Sequence, residues 1–97
     1  MPRLDGSQFW YHGTKMKTVK RTQTGVRIEQ STLKVLKGLA AHLEMGLGDL
    51  IEGIVLHAFE GKAPFEKTTL KHIEDLKRIY GLGLSASDSH RLKEKRG

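Results

Sequence analysis

The sequence predicts a small, mainly α-helical domain entered through one β-strand. Three observations carry that expectation. Half of the apolar residues fall within residues 26–59, about a third of a 97-residue chain, so one short core-forming unit dominates the polypeptide. Apolar side chains recur there at helical spacing in two consecutive stretches. Just ahead of them, residues 18–28 are rich in Thr and Val and end in strand-like alternation.

The elements follow in order. Residues 1–17 mix Pro2, Gly6 and Gly13 with the aromatic trio Phe9, Trp10 and Tyr11 and keep no period, which reads as a basic and aromatic arm. In the strand, Val26 and Ile28 point one way, and Gln23, Gly25 and Arg27 the other; its regular part is about seven residues long. Ser31 can cap a first helix on which Leu33, Leu36, Ala40 and Leu43 share a face, and Glu44, Met45 and Gly46 turn the chain. A second helix, residues 47–59, is apolar at 47, 50, 51, 54, 55, 56, 58 and 59, a stripe too wide for one neighbour. Strand and helix pair together occupy residues 18–61. Pro64 is placed for the first position of a third helix in residues 62–81, with Glu66 in its first turn, and Phe65, Thr69, Ile73, Leu76 and Tyr80 on one face. Gly81 ends it. Residues 82–97 read as a basic tail, or as a short frayed helix from Ser87.

Charge is distributed against this pattern. Lys and Arg number 17 against 11 Asp and Glu, for a net charge of +6 and a pI near 9.8. The flanks, residues 1–21 and 62–97, are basic, whereas residues 22–61 are slightly acidic. An anionic partner is expected, nucleic acid first. With 0 Cys, disulfides, thiolate metal sites and Cys nucleophiles are excluded, which fits a cytoplasmic protein. No uninterrupted apolar run exceeds three residues, so neither a membrane span nor a signal-peptide core is expected.

A lone strand leaves its backbone donors and acceptors without partners. No second strand can be read in the chain. The simplest mate is a second copy, paired antiparallel about a two-fold axis, and the wide stripe of the second helix asks for the same partner.

Residues 26–40, VRIEQSTLKVLKGLA, followed by residues 43–52, LEMGLGDLIE, resemble the ribbon-helix-helix family of DNA-binding repressors over about residues 20–60. The resemblance implies a homodimer that lays a two-stranded ribbon in the major groove of double-stranded DNA, as β-ribbon readers do. By position, the family's base-contacting residues fall on Gln23, Gly25 and Arg27. Arg can grip guanine O6 and N7 with two bonds, and Gln can do so at adenine N6 and N7. Gly25 reads nothing itself; it either lets the backbone approach or marks a bulge that brings Thr22 or Thr24 into play. The family's phosphate clamp at the start of the second helix falls on the amides of Leu47, Gly48 and Asp49. Here Gly46 replaces the usual Ser or Thr cap, Asp49 adds a negative charge, and Glu29 stands where Pro is common. Lys15, Lys17, Lys20 and Arg21 precede the strand and can reach neighbouring phosphates. The dimer interface implied is Val26, Ile28, Leu36, Leu47, Ile51, Ile54 and Val55.

A helix-turn-helix is the natural rival, but its recognition helix would be residues 47–60, which hold Asp49, Glu52 and Glu60 and no Lys or Arg. The histidines His12, His42, His57, His72 and His90 lack zinc-motif spacing, and no cofactor is implied. Ser85, Ser87, Asp88, Ser89 and His90 superficially combine nucleophile, acid and base, but a flexible tail cannot hold catalytic geometry, so no enzyme is expected. The aromatic trio covers part of the core or stacks on a partner. The apolar face of the third helix must be buried against the dimer core, another dimer on DNA, or a foreign protein. A repressor is expected; an antitoxin that binds a partner protein through residues 62–97, and a plasmid or viral DNA-organising protein, are the open alternatives.

Overall fold

Glu29 starts the first helix. The computed structural model describes residues 16–95, so the arm up to Lys15, including Phe9, Trp10, Tyr11 and His12, lies outside the described residues. Helix α1 spans Gln30–His42. At its start the Thr32 N–H donates to Glu29 Oε1 at 2.8 Å and the Ser31 N–H to Oε2 at 3.0 Å. The Ser31 and Thr32 hydroxyls donate to the same carboxylate, both at 2.7 Å. Ser31, the expected cap, is therefore a donor inside the helix. A carboxylate prevails because it offers two charged acceptors to the positive end of the helix dipole. These donors, the Ser31 N–H foremost, hold the Glu29 carboxyl down at about 2 against an ordinary 4.5.

Helix α2 spans Leu47–Phe59 and helix α3 spans Lys67–Tyr80. The helices α1 and α2 end in the same way. After α1 the Met45 N–H reaches back to the Ala40 carbonyl and the Glu44 N–H to Ala41; after α2 the Lys62 N–H reaches His57 and the Gly61 N–H reaches Ala58. This motif needs one residue at positive φ. Gly61 supplies it at no steric cost, at φ 70°, whereas Glu44 takes φ 57°. Gly81 at φ 69° closes α3, and the Leu82 N–H donates to the Lys77 carbonyl.

Helix α1 is the central element and packs on both others. Its Val35, Leu39 and Ala40, with Leu43 just beyond, form the buried core with Leu50 of α2 and Leu76 of α3. Leu36, Met45, Ile54, Phe65, Ile73 and Leu82 close its edge. The apolar face of α3 thus finds its partner within its own chain, on α1.

Three expectations about elements change. Helix α3 begins at Lys67, with Glu66 as its cap in extended backbone, so Pro64 and Phe65 precede it. Phe65 reaches the core edge from that connection instead of from a helical turn. In the tail the only regular element among the described residues is a 3-10 turn, Ala86–Asp88, boxed by Ser85, whose N–H donates to Asp88 Oδ2 at 2.8 Å. The strand expected over residues 18–28 is not formed: residues 16–29 carry no regular element, and no backbone hydrogen bond joins residues 22–28 to another described residue. A ladder needs a second strand, and the described part of one chain supplies none. The described protein is mainly α. Among the described residues no helix is long and apolar enough to cross a membrane.

Candidate nucleic-acid interface

Residues 16–27 are exposed throughout, and two arginines tie this segment to the rest of the molecule. Arg21 reaches the first turns of α2: its Nε donates to Glu52 Oε2 at 3.1 Å, and its Nη2 to Glu52 Oε1 at 2.9 Å and Asp49 Oδ1 at 3.2 Å. The Glu52 carboxyl is held below its usual range chiefly by those Arg21 bonds. Six residues on, Arg27 faces Glu94 of the tail: its Nε donates to Oε1 at 3.0 Å and its Nη2 bonds Oε2. Glu94 raises the pKa of the Arg27 guanidinium above its ordinary value.

The expected phosphate site is partly brought together. Gly46 caps α2 in extended backbone with no side-chain bond, and the first amide returned to the helix is that of Leu50, on the Gly46 carbonyl at 3.0 Å. The amides of Leu47, Gly48 and Asp49 therefore point out of the helix end, where the dipole favours an anion. Arg21 sits beside them and offsets the charge of Asp49. Lys17 and Lys20 are exposed along the segment. Lys15 lies outside the described residues.

The expected base-contacting residues are less uniform. Gln23 and Gly25 are exposed, and a side chain at Gly25 would meet nothing within 4 Å, so packing inside the chain gives no reason for a glycine there. Arg27 is exposed, and the Nε/Nη2 edge of its guanidinium is taken by the Glu94 carboxylate.

The expected dimer-interface positions share incomplete burial. Ile28, Leu36, Leu47, Ile51 and Ile54 are half-buried, and Val26 and Val55 are exposed. Helix α2 is the most apolar of the three, yet only Leu50 is buried on it; Leu56 is 62% and Phe59 79% exposed.

Sequence reasoning missed two acidic residues. Glu52 counted only as charge unsuited to a groove, and Glu94 was not singled out within the basic tail. A cation in the segment and an acid on an element it crosses are matched by charge, but pairing across 31 and 67 residues has no local signal. His42 and His72 stack between α1 and α3 with ring centroids 3.7 Å apart. Among the described residues no group of three His, Asp or Glu could hold a metal ion. Compared with family models, with curated proteins and with solved structures, the chain shows no match.

Proposed function

We propose that this chain is a homodimeric DNA-binding protein of the ribbon-helix-helix kind, acting as a transcriptional regulator. One observation carries the reading. The most apolar helix leaves Leu56 and Phe59 in water, and no backbone hydrogen bond joins residues 22–28 to another described residue. A second copy related by a two-fold axis would satisfy both at once, covering α2 with α2 and pairing the segment with itself. The resulting ribbon would carry Gln23 and Arg27 on its outward face, with Lys17 and Lys20 alongside, which suits a short two-fold operator. Arg21, bonded to both Asp49 and Glu52, offsets one of their two negative charges and so reduces their repulsion of the duplex.

The test is sedimentation of the purified protein, followed by selection of duplex DNA from a random pool. A dimer at micromolar concentration that enriches a two-fold sequence, with affinity falling steeply as salt rises, is the expected outcome. A monomer, or a pool that stays random, overturns the reading.

A further inference from the structure

Arg27 meets Glu94 along one edge of its guanidinium. The Nε donates to Oε1 at 3.0 Å and Nη2 bonds Oε2, whereas Nη1 bonds nothing among the described residues. A guanidinium is a rigid planar fork with N–H pairs along more than one edge. The edge left open, Nη1 with the outer Nη2 N–H, is itself a parallel pair of donors, the pattern that guanine O6 and N7 accept. One arginine can therefore hold a carboxylate on its side and a base on its end at the same time.

We propose that Glu94 is a positioning residue for Arg27: it grips the Nε edge, fixes the plane of the guanidinium and leaves the Nη1 edge to read a base. The proposal rests on the DNA-binding reading given above, and it gives the C-terminal tail a part in sequence preference. A long side chain in water has many rotamers to lose when it docks. With 82% of the Arg27 side chain exposed, packing does little to choose one of them, and the two bonds from Glu94 make that choice. Residues 89–97 hold Arg91, Lys93, Lys95 and Arg96 and a single acid, Glu94. That one negative charge is paired with Arg27, and Arg91, Lys93 and Lys95 are exposed on the same stretch, so the surroundings of the pair stay positive towards a duplex. The pair lies in water, so its effect is modest and shrinks as salt rises.

The experiment is a double-mutant cycle in DNA-binding titrations. Wild type, Glu94→Gln, Arg27→Ala and the double variant are each titrated with the duplex selected from the random pool and with that duplex altered at the base pair whose preference Arg27→Ala loses. The readout is the ratio of the two affinities, which a general change in charge or fold stability would leave alone. Glu94→Gln is expected to lower that ratio by up to about five-fold, the span of an exposed ion pair. In the Arg27→Ala background the same substitution should lower it no further, because the group it positions is gone. A ratio equal to that of wild type in Glu94→Gln overturns the positioning role, as does an equal fall in the absence of Arg27. If wild type itself enriches no duplex, the DNA reading fails; if wild type discriminates and Glu94→Gln discriminates as well, the positioning role fails alone.

Discussion

Gly38 of α1 lies so close to Leu76 of α3 that a β-carbon there would sit 3.1 Å from Leu76 Cδ2, and 3.5 Å from Tyr80 Cε2. The glycine is what lets α3 dock on α1 at this depth. Leu76 is buried, so its branch cannot move away without opening the core, whereas Tyr80, at 41% exposure, can shift towards solvent.

Gly38→Val should therefore wedge the two helices apart. Valine would gain a little helix propensity over glycine, but overpacking a filled contact costs about 1–3 kcal/mol and should dominate. The urea midpoint is expected to fall, with loss of protection at the α3 amides in hydrogen exchange. A midpoint at or above wild type would show that α3 does not need the glycine. The same contact explains why deleting residues 62–97 is a poor probe of that region's partners: it would also remove Phe65, Ile73, Leu76 and Leu82 from the core.

Helix α2 separates folding from association. Leu50 is fully buried, so Leu50→Ala should cost about 2–5 kcal/mol of monomer stability. Phe59, at 79% exposure, contributes little to the single chain. Phe59→Glu should leave the helical circular-dichroism signal intact while weakening the dimer by more than about ten-fold, equivalent to about 1.4 kcal/mol. Sedimentation equilibrium reads the second effect. Unaltered association would mean that α2 is not the dimer seam.

The local parts of the fold were legible because their causes are local. Gly46 before α2 and Gly61 and Gly81 after α2 and α3 mark helix ends that a pattern of apolar spacing also defines. The start of α1 was misjudged because Glu29 is an unusual cap, and serine is the residue that rule favours. Pro64 misled for a related reason: its fixed φ suits a first helical position, but Phe65 is drawn to the core edge before the helix begins. The exposed cations of the segment could be read from composition and position. Their carboxylate partners could not, since Glu52 and Glu94 meet Arg21 and Arg27 only after the chain has folded.

The cap at Glu29 makes the start of α1 sensitive to acid. Its carboxyl ionises near 2 in the folded chain and near 4.5 ordinarily. A depressed folded value means that the stabilisation is fully present above about pH 4.5 and is lost as pH falls towards 2. Thermal unfolding followed from pH 6 to pH 2 should show a declining midpoint over that window. Glu29→Gln keeps the length and one acceptor of the side chain but removes the ionisation, so its decline should be shallower and its midpoint at pH 6 lower. Parallel profiles for the two proteins would assign the acid sensitivity to other carboxylates.

Arg27 and Lys20 should fail in different ways if the segment reads DNA. Arg27 sits at an outward position next to Val26, where a guanidinium could reach a base edge, whereas Lys20 precedes that stretch and carries a single exposed charge. Arg27→Ala should lose about 1–3 kcal/mol of discrimination between the selected duplex and one altered at the matching base pair. The dimer and the fold should be unaffected, because the Arg27 side chain lies outside the core. Lys20→Ala should weaken binding to both duplexes alike and make the dependence on log salt shallower by about one unit. If Arg27→Ala kept the full preference, the reading face would lie elsewhere on the molecule. If the salt slope of Lys20→Ala matched wild type, Lys20 would touch no phosphate, and the basic stretch ahead of the segment would act only through its long-range field.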